Sequence, residues 1–102
     1  MEIQRKINDN NGSFYIEQDG KQIAELDFRV KNNTLDAYHT GVRPELEGQG
    51  IAGSLFNELV DYARENGYNI IPTCSYVHAK LRRNPELFRD VWVDSNENPS
   101  DR

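Results

Sequence analysis

The chain has 102 residues, 36% of them hydrophobic and 28% charged, which fits one folded domain rather than a disordered segment. Its net charge of −5 opposes nonspecific binding to nucleic acid or to an anionic membrane, which both need a basic surface. Phosphate is still accessible to such a chain, through helix N-termini and backbone N–H groups.

A single cysteine, Cys74, excludes an internal disulfide and a cysteine-rich zinc site. Met1-Glu2-Ile3-Gln4-Arg5-Lys6 carries no apolar leader core, and no apolar run approaches the roughly 18 residues of a membrane span. A cytoplasmic protein with no membrane and no nucleic-acid partner is expected, as a monomer or a weak homodimer. One domain is expected over residues 1–94, with residues 95–102 as a polar, flexible tail.

The first half alternates with a period of two, as half-buried strands do. Ile3, Arg5 and Ile7 alternate with polar neighbours, and the Asn-rich run to Gly12 turns the chain. Phe14 and Ile16 alternate with Tyr15 and Glu17. Asp19-Gly20 is a hairpin signal, because both residues tolerate positive φ. Ala24, Leu26, Phe28 and Val30 then alternate with Ile23, Glu25, Asp27 and Arg29, and residues 31–34 turn again. Residues 35–42 make a fourth strand, with Leu35, Ala37 and His39 expected on one face and Asp36, Tyr38 and Thr40 on the other.

From Gly50 to Asn66 the period changes. Ala52, Leu55, Phe56, Leu59, Val60 and Ala63 fall on one stripe of a 3.6-residue helix. Gly67 is placed to stop it in the left-handed region. A fifth strand is expected from Tyr68 to Cys74, with Pro72 inside it marking an edge or a break in pairing. A short helix carries Val77 and Leu81, Asn84-Pro85 interrupts it, and residues 86–92 make one more turn that pairs Phe88 with Trp92. The helical crossover makes the fourth and fifth strands parallel. The fold class is therefore α/β in the broad sense, an α+β mixed sheet.

Gly48, Gly50 and Gly53 lie between strand and helix. Glycine there lets a ligand approach the backbone, and the helix start aims free N–H groups at it. Either a pyrophosphate site or a tightly packed turn would use this pattern. Gly48-x-Gly50-x-x-Gly53 also matches the dinucleotide fingerprint. However, that site needs a carboxylate after the next strand, which ends Pro72-Thr73-Cys74. No Lys follows Gly53, so a Walker A loop is excluded as well.

Glu47-Gly48-Gln49-Gly50-Ile51-Ala52 resembles the acyl-CoA pyrophosphate motif of the GNAT acetyltransferase superfamily, with Gly50 and Ala52 at its last two positions. His39-Thr40-Gly41-Val42, Asp61-Tyr62-Ala63-Arg64 and Pro72-Thr73-Cys74-Ser75-Tyr76 resemble the small GNAT-like proteins of this length. The resemblance reaches about Trp92. It implies the GNAT, or acyl-CoA N-acyltransferase, fold: four antiparallel strands, the main helix, a parallel fifth strand and short C-terminal helices. It also implies acetyl-CoA as co-substrate, no metal, and a small-molecule or protein amine as acceptor. Val42, Gly48, Gln49, Gly50, Ile51, Ala52, Gly53 and Ser54 would bind CoA, with the pantetheine arm between the splayed fourth and fifth strands. One of Lys80, Arg82 and Arg83 would contact its ribose phosphate.

Glu47 departs from this pattern, standing where the family has Arg or Gln, and a carboxylate opposes a pyrophosphate. Cys74 is either a core cysteine or, by the resemblance, a group near the thioester that accepts the acetyl or protonates the CoA thiolate. His39 is either a histidine at the core's edge or a general base, since its unperturbed pKa suits neutral pH. Two histidines without HExxH spacing give no metal site. The rival reading is a non-catalytic CoA-binding or interaction module, favoured by Glu47 and the short length. A thiol redox role for Cys74 would need a resolving partner, which the sequence does not supply.

Overall fold

The computed structural model describes residues 2–92. The expected tail, residues 95–102, lies outside them.

Four strands follow the alternating half of the sequence: β1 (Gln4–Ile7), β2 (Asn11–Gln18), β3 (Lys21–Lys31) and β4 (Thr34–Val42). A 3₁₀ turn (Pro44–Leu46) leads into α1 (Ile51–Asn66), then β5 (Asn69–Ile71) and α2 (Ser75–Arg83). The sheet order is β1-β2-β3-β4-β5, antiparallel throughout except for the parallel β4–β5 pair. The β2–β3 turn puts Asp19 at φ 55° and Gly20 at φ 78°, the positive angles expected of that pair. Gly67 ends α1 at φ 70°, its N–H on the Ala63 carbonyl.

The core lies between one face of the sheet and α1. Phe14, Leu26, Phe28, Leu35 and Ala37 point inward from the strands, and Leu55, Phe56, Leu59, Val60 and Ala63 meet them from the helix. Burying such a large side chain contributes roughly 1.5–3 kcal/mol. Phe14 tilts against Phe28 at 5.1 Å and takes the edge of Tyr62 at 5.7 Å. Residues 84–92 close the far end. Phe88 packs edge-on against Phe56 at 5.4 Å, and Trp92 against His78 at 5.9 Å. Arg64 ties this stretch to α1, donating to Asp90 at 2.7 Å and to the Leu87 carbonyl at 2.8 Å. The Ile70 N–H donates outward to the Val91 carbonyl at 2.6 Å, so residues after α2 cover the outer edge of β5.

Three expectations from the sequence need correction. The β3–β4 register passes from Asp27↔His39 to Phe28↔Ala37, leaving Tyr38 as an extra residue in a β-bulge. A one-residue slip reverses which face each side chain takes. His39 therefore leaves the face of Leu35 and Ala37 for the open face of the sheet, and Thr40 turns toward the helix side instead. The second correction concerns Ile23, expected on the polar face of β3. It is buried beside Ala24, next to a second irregularity between Ile16 and Glu17. Finally, β5 ends at Ile71, so Pro72 follows the strand rather than sitting within it.

Candidate active site

The turn between β4 and α1 is built by backbone geometry. Gly48 has φ 87° and Gly50 φ 79°. A Cβ at either would meet nothing within 4 Å, so the left-handed backbone, not crowding, demands glycine. The first hydrogen bond of α1 runs from the Ser54 N–H to the Gly50 carbonyl at 3.1 Å. The amides of Ile51, Ala52 and Gly53 stand ahead of it, with no acceptor inside the helix. They form the positive end of the α1 dipole.

β4 and β5 part next to this turn. Their pairing ends at Asp36↔Ile71. The Thr73 N–H folds back on the Ile71 carbonyl at 3.0 Å while its hydroxyl donates to Asp36. The Cys74 N–H then makes a last bridge to the Ala37 carbonyl at 2.8 Å. Pro72 stands where the strands separate, and having no N–H it cannot extend the ladder. Beyond that point His39 to Val42 pair with β3 alone among the described strands.

The gap and the turn share one cleft of about 350 Å³. Thr40, Val42, Leu46, Glu47, Gly48, Gly50, Ile51, Ala52, Gly53 and Tyr76 line it. Six of the eight expected CoA-contacting residues are thus brought together: Val42, Gly48, Gly50, Ile51, Ala52 and Gly53. Gln49 and Ser54 instead line an adjoining hollow of about 230 Å³ with Ile3 and Ile16. Thr40 and Tyr76 were not singled out by sequence reasoning. Their signals were present, since Thr40 follows His39 in the run His39-Thr40-Gly41-Val42 and Tyr76 lies two residues after Cys74.

Cys74 is the N-cap residue of α2 and half-buried. Its Sγ lies 3.4 Å from Thr40 Oγ1, and it is not among the residues that line the cleft. Burial pushes its thiol up. The Thr40 hydroxyl and the backbone groups of Val77, Tyr76 and Thr40 outweigh burial and bring it below the ordinary value. Tyr76 goes the other way: burial raises its phenol, partly offset by Arg83, so it keeps its proton. A Cβ on Gly53 would come within 3.8 Å of the Tyr76 hydroxyl, which places that hydroxyl beside the head of α1.

His39 does not join these groups. It sits on the opposite face of the sheet, with Nε2 2.8 Å from the Glu25 carboxylate. Of the basic cluster, Lys80 lies over the Phe56 ring at 5.7 Å. None of Lys80, Arg82 and Arg83 reaches the cleft lining, whose single charged side chain among the described residues is Glu47. Among the described residues no three His, Cys, Asp or Glu side chains gather as a metal site. No described helix is long and apolar enough to cross a membrane.

The model of the GCN5-related N-acetyl-transferase family matches residues 13–91. A GCN5-like protein from Staphylococcus aureus has a similar solution structure at 36% identity, with TM-score 0.67, covering 88% of this chain and 87% of that one. The ribosomal-protein-S18-alanine N-acetyltransferase of Escherichia coli shares the fold at 22% identity and TM-score 0.57. The match covers 63% of this chain but 42% of the enzyme. An aminoglycoside N-acetyltransferase solved with CoA matches at 16% identity and TM-score 0.56, over 78% of this chain and 68% of its own. By its fold and its sequence, the chain belongs to the GCN5-related N-acetyltransferases, a family of acyl-CoA-dependent acetyl transfer.

Proposed function

We propose that this protein takes acetyl-CoA into the cleft at the head of α1 and transfers the acetyl group to an amine. One observation carries the reading. Two left-handed glycines, three helix amides without internal acceptors and the unpartnered half of β4 all meet in a single cleft. A diphosphate fits the amides of Ile51, Ala52 and Gly53, which supply hydrogen bonds and positive dipole without any basic side chain. The pantetheine arm, itself an amide chain, matches the free strand edge of Tyr38 to Val42. That route leads the thioester toward Thr40 and Tyr76.

Transfer is direct in this reading. The amine nitrogen bonds to the thioester carbon, the C–S bond breaks, and the electron pair leaves on sulfur. Tyr76, which keeps its proton, stands at the cleft wall to reprotonate the departing thiolate. Cys74 lies behind Thr40, which favours a supporting role over a covalent acetyl carrier.

Calorimetry tests the first half: acetyl-CoA should bind, and a protein that does not bind it sinks the proposal. Transfer to a panel of an aminoglycoside, a polyamine and a lysine peptide tests the second half. Intact mass after incubation with acetyl-CoA should stay unchanged. A single acetyl adduct, absent from Cys74→Ala, would establish the covalent route instead.

Glu47 supports a second reading. It is the charged side chain lining the cleft, and it repels phosphate. A module that binds CoA without turning it over would show affinity in calorimetry and no transfer to any amine in the panel.

A further inference from the structure

The open face of the sheet carries a built pair that the cleft does not use. Glu25 on β3 and His39 on β4 face the same way, with Oε2 and Nε2 2.8 Å apart. Two features of the strand pairing make this possible. The bulge at Tyr38 turns His39 to this face. Gly41, directly opposite Glu25 in register, leaves the space the pair fills, because a Cβ there would collide with the Glu25 carboxylate and come 3.1 Å from His39 Nε2. The Gln22 amide also donates to Glu25, at 3.2 Å, and steadies the carboxylate. Thr40, the next residue along β4, lines the cleft on the other side. One strand thus presents the cleft on one face and the histidine on the other.

We infer that Glu25 is the positioning residue for His39, holding its Nε2–H so that Nδ1 takes the proton of an acceptor amine arriving on the open face of the sheet. This rests on the acetyltransferase reading above and assigns the acceptor side of the same site. In the step, the amine nitrogen bonds to the acetyl carbon and CoA leaves as thiolate with the C–S electron pair. The proton lost by nitrogen passes to Nδ1. The Glu25 carboxylate stabilises the imidazolium that forms, much as a carboxylate orients a histidine base elsewhere. The charged groups facing His39 are Glu25, Asp27 and Arg29 from β3, and Asp36 along β4 itself. Arg29 is taken up by Asp36 at 3.3 Å and by the Tyr38 ring at 4.2 Å. The nearest influence on the imidazole is therefore anionic.

The test uses Glu25→Gln, His39→Gln and the double variant, with the same three amines. Acetyl-CoA affinity by calorimetry reports that each variant keeps the cleft intact. Glu25→Gln should lower kcat roughly tenfold and His39→Gln about a hundredfold, with KM for acetyl-CoA unchanged. Glu25→Gln should add nothing in the His39→Gln background. If wild type transfers to an amine while Glu25→Gln keeps its kcat, this inference is overturned alone. Should the two losses simply add, Glu25 acts elsewhere and the pairing is again overturned. A wild type that binds acetyl-CoA but acetylates no amine overturns both this inference and the transfer reading beneath it.

Discussion

The two halves of β4 share a strand and little else. From Thr34 to Ala37 it lies between β3 and β5, and Leu35 and Ala37 are fully buried. From Tyr38 to Val42 it has β3 on one side and a cleft on the other, and no residue is fully buried. Pairing on both sides turns backbone polarity into fold stability. Losing one neighbour leaves N–H and C=O groups free for a ligand and lets alternate side chains serve two separate faces. The bulge at Tyr38 and Pro72 after β5 mark the border between the halves from opposite strands.

The largest expected effect breaks the paired half. Leu35→Ala should cost about 2–5 kcal/mol in denaturant unfolding, through lost burial and a cavity under α1. A change below about 1 kcal/mol would mean that this half is not the structural one. Gly50→Ala comes next, because it forces an ordinary residue into a left-handed angle, at roughly 1–2 kcal/mol. The same strain should weaken acetyl-CoA binding by moving the α1 amides. Unaltered affinity by calorimetry would place the phosphates away from this turn.

Thr40→Val, in the open half, should leave stability within about 1 kcal/mol, since the residue is only partly buried. It removes a hydrogen bond that favours the Cys74 thiolate, so the pH midpoint of Cys74 alkylation should rise. Because Cys74 is lowered in the fold, the linked stability is present in full above the thiol's unfolded pKa and is lost as pH falls through the lower folded one. An unmoved midpoint would show that Thr40 does not hold the sulfur. Smallest of all, Glu47→Gln should tighten acetyl-CoA binding by a few-fold, and added salt should shrink the gain. Equal affinities at low salt would show that the carboxylate swings clear of the phosphates.

The sequence made much of this division readable. The alternation through Ala24, Leu26 and Phe28 gave β3, the 3.6-residue stripe gave α1, and Asp19-Gly20 and Gly67 appear at the positive angles their types imply. The glycine turn was legible because its residue types answer to backbone geometry. The bulge was not. Neither glycine nor proline marks Tyr38, and alternation continues on paper across an inserted residue, so His39 was placed on the wrong face. Thr40 was overlooked for the same reason. The end of β5 depends on where its neighbour turns away, and local propensity does not record that. Ile71, apolar and 45% exposed, reads as strand interior until Pro72 and the diverging β4 are seen together.

The bond from Ile70 to the Val91 carbonyl has a consequence for how the protein meets other extended chains. An uncovered strand edge recruits whatever peptide drifts past, including copies of itself. Here the later chain occupies the outer rim of β5. On that side of the sheet the invitation to add a strand narrows to the second half of β4. That stretch is five residues long, beside a loop ordered by glycines. The free edge on that side is thereby reduced to a slot sized for a thin, amide-bearing guest.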